Sequence, residues 1–490
     1  MTYHLPVLLV VVPLVAAPIA ALLNRPRLSW AVAVAATLWA LYAALELLSQ
    51  TMAAGAIHYE LGGWPAPYGI EYVVDPVNAW VVVIVALIGA LVAPYARVSV
   101  EREITEDRIP LFYAAFILCL TGLLGIAVTG DVFNVFVFLE ISSLSAYALI
   151  ALGSDRRALT ASFQYLIMGS VGATFIVIGI GLMYVMTGTL NMADLADRLP
   201  EVSGTRTIPV AFTFLTVGIT LKLALFPLHL WLPNAYTYAP SAVTAFIAST
   251  ATKVGVYLLL RFFFTIFGVT FSFDVMQLDR ILMPLALIAI VTMSLVAIYQ
   301  ENVKRLLAYS SVAQIGYMVL GISFASVLGL TAGILHLFNH ALMKGALFMS
   351  MGCVMYRVGS VRLERMNGLG RAMPWTMAAF VVGGLSLIGV PLTVGFISKW
   401  YLVQAALEQG MWPVAGVVLL GSLLALMYVW KVVEVAYFRE ADPELEISEA
   451  PLSLLVPTWV LVLGNLYFGI NASDSVGIAT RAAEVLLGAL

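Results

Sequence analysis

Fourteen long apolar runs, separated by short polar stretches, set the rhythm of this chain. A helix needs roughly 20 residues to cross about 30 Å of hydrocarbon, so each run predicts a membrane-spanning helix. The spans are 5–23, 29–48, 75–96, 110–128, 132–152, 160–186, 208–228, 241–265, 281–299, 304–323, 328–356, 375–406, 412–437 and 453–470. Pro227, Pro233 and Pro240 crowd the junction of the seventh and eighth, and Gly389-Val390-Pro391 interrupts the twelfth. Because proline removes a backbone donor, the seventh and twelfth spans are expected to be broken. The fold class is an all-α polytopic membrane protein of about 14 transmembrane helices.

Composition agrees, since 62% hydrophobic against 10% charged residues leaves too little polar surface for a soluble globule of 490 residues. A net charge of −3 spread over many loops offers no basic face for nucleic acid. Cys119 and Cys353 both fall in apolar spans and read as small hydrophobes, with neither a disulfide nor a metal framework implied. Residues 1 to 23 hold no Lys or Arg, so the N-terminus reads as a retained helix and not a cleaved signal.

Short basic loops stay cytoplasmic. Fourteen Lys and Arg residues, from Arg25 to Arg439, fall on one side against five on the other, which are Arg198, Arg206, Arg261, Arg280 and Arg481. The first side is expected to be the cytoplasmic one, with both termini outside. The whole of 1–490 reads as one membrane domain, made of three N-terminal helices (1–109), two five-helix units (110–265 and 281–437) and a last helix with its tail (453–490). An odd helix number inverts the second unit relative to the first, as in many transporters, so spans 4–8 and 9–13 are expected to be inverted repeats.

Charges within the spans carry the chemistry. Lys222, Lys253, Lys344, Lys399 and Glu140 lie deep in apolar sequence. At about 2.5–3.5 kcal/mol each, they represent roughly 12–17 kcal/mol of liability unless paired or hydrated. Broken helices collect water, because a freed carbonyl in lipid must find a donor. Burial disfavours a charged amine, which lets a lysine trade its proton near working pH. His336, His340 and Lys344 recur at i, i+4 and i+8, climbing one side of a helix over about 12 Å, a spacing suited to a proton file. A zinc site is the competing reading of the two histidines, but no third ligand clusters with them, so no metal is expected. His229 is a secondary candidate. The plainer alternative is a static Glu140–Lys222 pair locking two helices, with the histidines as hydrogen-bond partners. Asp75 and Asp131 read as helix caps, and Lys431 as a snorkelling side chain beside Glu434.

Several motifs carry a resemblance. Leu221-Lys222 through Phe226-Pro227, Trp231-Leu232-Pro233, Ala239-Pro240-Ser241 and Thr252-Lys253-Val254-Gly255-Val256-Tyr257 resemble the antiporter-like subunits shared by respiratory complex I, membrane-bound hydrogenases and Mrp-type cation/proton antiporters. So do Asn302-Val303-Lys304-Arg305, Ala308-Tyr309-Ser310-Ser311, the His336/His340/Lys344 series, and Gly389-Val390-Pro391 with Gly395-Phe396 and Lys399. The similarity runs from about residue 70 to 440. It implies that Glu140, Lys222, Lys253, His336, His340, Lys344 and Lys399 line a hydrated axis through the membrane plane. A glutamate on the fifth span departs from the N-type pattern of complex I, and a lysine on the twelfth from the M-type. The sequence also lacks the lateral extension of L-type and Mrp A-type subunits, so it is most similar to the D-type subunits of Mrp antiporters. Tyr236 stands where relatives carry a histidine, and Leu392 where some carry a second proline, which implies a milder break in the twelfth span.

The function implied is proton translocation within a multisubunit Na+(K+)/H+ antiporter of a bacterial inner membrane. The resemblance implies A, B, C, E, F and G type subunits as partners, no chemical catalysis and no cofactor. Its alternatives are a pump subunit of a complex I-type or hydrogenase-type respiratory complex, a stand-alone solute transporter, and a structural subunit.

Overall fold

The computed structural model describes residues 2–440 and 447–488. Each of the fourteen expected spans contains helix, and two of them are interrupted. α1 (Leu5–Leu22) and α2 (Pro26–Ala54) precede a two-stranded antiparallel hairpin, β1 (Ile57–Glu60) and β2 (Glu71–Val74). There follow α3 (Pro76–Glu103), α4 (Ile109–Val128), α5 (Val132–Ala151), α6 (Arg157–Thr187), α7 (Met192–Val202), α8 (Thr207–Lys222), α9 (Trp231–Tyr238) and α10 (Ser241–Leu260). The second half holds α11 (Asp279–Ile298), α12 (Val303–Ser323), α13 (Val327–Val358), a one-turn α14 (Leu369–Ala372), α15 (Pro374–Ile388), α16 (Val394–Glu408), α17 (Trp412–Phe438), α18 (Leu452–Ile470) and α19 (Ser473–Leu486).

Among the described residues, eleven helices are long and apolar enough to cross a membrane. The other three expected spans are the two broken ones and α13, whose run of histidines, Asn339 and Lys344 dilutes its apolar character. The hairpin, α7 and α19 lie in stretches read from sequence as loops and a tail. Residues 473–486 are too mixed in polarity to register as a span, yet Ala479, Ala482, Ala483 and Leu486 are buried, so this helix packs by one stripe only. Part of the acidic segment 439–450 lies outside the described residues.

Position in the bundle follows from side-chain character. α13 is the hub, packed against α10, α12, α15, α16, α18 and α19, and every residue from Gly329 to Val354 is buried. α10 and α12 are 94% buried over their apolar stretch, whereas α6, α11 and α17 are 39% buried and present the apolar rim. A helix apolar on all sides can serve either place; polar side chains mark the inner ones, because only protein or water can satisfy them.

The expected sorting of loops into two faces is visible. Arg102, Asp155, Arg157, Lys304 and Arg362 line one cavity of about 370 Å³. On that face Arg157 donates to the Asp155 carboxylate and holds it below the usual range. On the opposite face, Tyr72 bridges to Thr129 and Asp131 to Asn191, and the Glu71 carboxylate takes hydrogen bonds from Asn191 and the His58 ring. Asp75 caps α3 and Asp131 caps α5 as expected. Lys431 does reach the rim, donating to the Ile298 and Gln300 carbonyls near Glu301.

Candidate functional site

The charged residues fall on five central or near-central helices. Glu140 sits midway along α5 and Lys222 is the last residue of α8. Their charged atoms are 3.9 Å apart, and Lys222 also donates to Ser143, one turn along α5 from Glu140. Lys222 is nearly sealed, at 6% side-chain exposure, while Glu140 keeps 29% and faces the rim. A carboxylate so exposed among apolar neighbours at mid-helix demands a covering surface or water.

The two helix breaks solve one backbone problem in two ways. After Lys222 the chain leaves the helix, with Ala224 at φ +59°, and resumes at Trp231. The Leu221 carbonyl, which accepts only a turn-type hydrogen bond from Ala224, also accepts the Trp231 indole N–H at 3.1 Å. In the second break, residues 389–393 are non-helical, so the interruption is complete even with leucine at 392, which adopts φ +72°. Here the freed Leu387 and Ile388 carbonyls accept from the Lys399 ammonium, each at 3.0 Å, and Ser422 takes a third hydrogen bond. A cation at the carbonyl end of α15 also meets its favourable dipole. Lys399 further lies 4.8 Å from the Tyr317 ring centre.

This junction closes only because of Gly395. A Cβ there would stand 1.8 Å from the Ser386 carbonyl oxygen. Gly395→Ala should therefore push α16 off α15, at about 1–3 kcal/mol, seen as a lower melting temperature of the detergent-solubilised complex.

The α13 series is aligned as its spacing predicts. The His336 and His340 rings are parallel within 4° and 6.1 Å apart. His336 is held on both sides, by Ser398 at 2.8 Å and Gln314 at 2.9 Å, which ties α13 to α16 and α12. His340 is fully buried, and neither of its ring nitrogens has a partner among the described residues. Lys344, one turn on, donates to the Leu307 carbonyl at 2.8 Å and to the Ser310 hydroxyl. Lys253 on α10 packs opposite this series, donates to the Ala248 carbonyl and is fully buried. α10 approaches the end of α8 closely at Gly255, where any Cβ would meet Leu223 at 2.9 Å.

The structure thus brings together Glu140 with Lys222, Lys253 with the α13 series, and His336 with Ser398, the neighbour of Lys399. His229 stands apart. Its ring stacks on Phe226 at the first break, and its Nδ1 has no partner among the described residues. No cluster of three or more His, Cys, Asp or Glu that could hold a metal occurs among the described residues.

Sequence reading missed the holders of these groups: Ser143, Gln314, Ser398 and Ser422. Gln314 was detectable, since it follows Ser310 by four residues and interrupts the apolar run from 312 to 322. Lys304 and Arg261, counted from sequence among the charges of the two faces, are also held inside. Lys304 is buried and donates to the Ala239 carbonyl at 2.6 Å. Arg261 is buried as well, 2.7 Å from Asp75, and donates to the Tyr257 hydroxyl at 3.2 Å. Both sit at the end of an apolar helix, where hydropathy alone could not tell a packed turn from a solvated one.

A helical membrane bundle with two interrupted helices and buried, mutually facing acid, lysine and histidine side chains defines an antiporter-like membrane subunit. The family described as NADH:quinone oxidoreductase/Mrp antiporter, TM, matches residues 129–425, and the chain belongs to it. It is 42% identical over 486 residues to the N-type subunit of a NADH-quinone oxidoreductase of Desulforudis audaxviator, covering 96% of each. It is 32% identical over 429 residues to the D-type subunit of a Na(+)/H(+) antiporter of Alkalihalophilus pseudofirmus, covering 87% of this chain and 86% of that one. Its fold superimposes on a chain of the Mrp complex of Dietzia sp. with a TM-score of 0.90 at 26% identity, covering 99% and 97%. The N-type subunit is matched at higher identity than the D-type one, so these likenesses do not favour the D type that the sequence positions pointed to.

Proposed function

We propose that this chain carries protons through a multisubunit membrane complex, by way of Glu140, Lys222, Lys253, His336, His340, Lys344 and Lys399. The observation that carries this reading is the α13 file: parallel imidazoles, one with both nitrogens unpartnered, flanked by Lys344 and opposite Lys253. Purely structural histidines would be satisfied by fixed partners, as His336 is. A buried polar atom left free calls for an exchangeable partner, and water is the natural one.

In this scheme the Glu140–Lys222 contact is the input control. Pairing favours the charged lysine, and separation lets its proton pass toward Lys253. The basic face is the cytoplasmic one, and the two broken helices belong to inverted five-helix units. Exchange measured in vesicles should fall several-fold in Glu140→Ala and in Lys222→Ala with the complex assembled; normal exchange in both would remove the proposal.

Two hosts are open to such a subunit. The D-type relatives support a Mrp-type Na+/H+ antiporter, in which a partner or a subunit boundary carries the sodium. The higher identity to an N-type subunit supports a redox-driven respiratory complex. Co-purifying iron–sulfur or flavin proteins would decide for the second.

A further inference from the structure

The rim of the bundle beside the first helix break holds a groove of about 550 Å³, lined by Phe163, Gln164, Ile167, Leu230, Asn234 and Arg305 among others. Its walls are apolar and open, with Phe163 60% and Leu230 69% exposed. One side chain does not fit a lipid-facing wall. Arg305 forms no ion pair among the described residues, and its Nε is buried without a partner.

Depth identifies what that charge meets. Arg305 is the third residue of α12, within one turn of its end on the basic face. Ile167 lies ten residues into α6, about 15 Å along the axis, and Leu230 sits at the far end of the eight-residue α9, about 12 Å from that face. The groove therefore begins with a cation at the interface and runs inward for roughly the 15 Å of one hydrocarbon leaflet. Gln164 and Asn234, bonded to each other at 2.8 Å, line the wall between.

The geometry points to a built site for an anionic phospholipid of the basic-face leaflet, its phosphate on Arg305 and an acyl chain lying along Ile167 to Leu230. Charge and shape act together there. A guanidinium pairs well with phosphate oxygens, and the groove continues into hydrocarbon where a free phosphate gains nothing. A seated chain also covers the rim side of the α8–α9 break, where Pro227 and Leu230 are exposed and the backbone is irregular. Irregular backbone at membrane depth needs such cover.

The intact complex, purified in mild detergent, should retain anionic phospholipid when its bound lipids are counted by mass spectrometry. Arg305→Gln should lose at least one such molecule per chain, and Arg305→Lys should keep part of it. Gln164→Glu, which sets a carboxylate in the groove without removing Arg305, should lose it too, and this covers the case in which Arg305→Gln fails to assemble. Reconstituted in purely zwitterionic vesicles, the wild type should regain several-fold activity on adding anionic lipid, and Gln164→Glu should not. Equal anionic lipid in wild type and both variants would overturn the site. So would a carbodiimide cross-link between the lysine of Arg305→Lys and a carboxylate of a neighbouring subunit.

Discussion

Lys344→Met and Lys344→Arg should both assemble and both lose proton translocation, by about a hundredfold, the scale of a lost acid–base group. Methionine, one atom shorter, keeps most of the side chain's volume and removes a buried charge, a change that is neutral or stabilising where packing is kept. The partners left behind are already provided for, because the Ser310 hydroxyl donates to the Leu307 carbonyl at 2.9 Å. Lost transport with an intact complex would thus reflect the missing proton carrier and not a collapsed core. Arginine sharpens the test. It keeps the positive charge and cannot release its proton at any working pH. A lysine serving only as a fixed charge would be rescued by arginine, whereas a relay would not. Proton uptake into vesicles under an imposed cation gradient reads both; transport by Lys344→Arg near the wild-type rate would end the relay assignment.

Arg261→Gln should produce the largest loss of stability, about 3–5 kcal/mol, because it strands the Asp75 carboxylate in a buried position. Asp75 already serves α3 by accepting from the backbone of Val77 and Asn78. Asparagine caps a helix about as well as aspartate. Adding Asp75→Asn to Arg261→Gln should therefore recover most of the loss, since it removes the stranded charge and keeps the cap. Thermal melting of the detergent-solubilised complex compares the single and double variants. A double variant no better than the single would mean that Arg261 acts through Tyr257 instead, with which it shares a hydrogen bond.

Spans, breaks and buried charges were legible in the sequence because each rests on a local pattern. Apolar length set the helices, proline and glycine set the breaks at 223–230 and 389–393, and four-residue spacing set the face shared by His336, His340 and Lys344. Groups fixed by long-range packing were not legible. Ser143, Ser398 and Ser422 look like any small polar residue of a membrane helix until the fold brings a lysine or histidine to them. Arg261 shows the same limit, since its partner lies far back in the chain at the start of α3. The hairpin and α19 escaped for a different reason: their polarity is too mixed for hydropathy to separate a packed element from a loop. Subunit type was the least legible feature, as it was read from a few single positions, while over its length the chain is 42% identical to an N-type subunit and 32% identical to a D-type one.

One contrast in the bundle bears on how its two halves can communicate. α8–α9 and α15–α16 are jointed, while α13, which packs directly on α15 and α16 and reaches α8 and α9 through α10 and α12, runs unbroken for 32 residues. A stiff rod lying on one elbow and braced through α10 and α12 to the other transmits torque or sliding but not bending. Movement at the α15–α16 elbow can thus enter the rod as a small rotation or shift of its whole length, which would retune the imidazole stack and the Gln314 and Ser398 contacts in a single stroke.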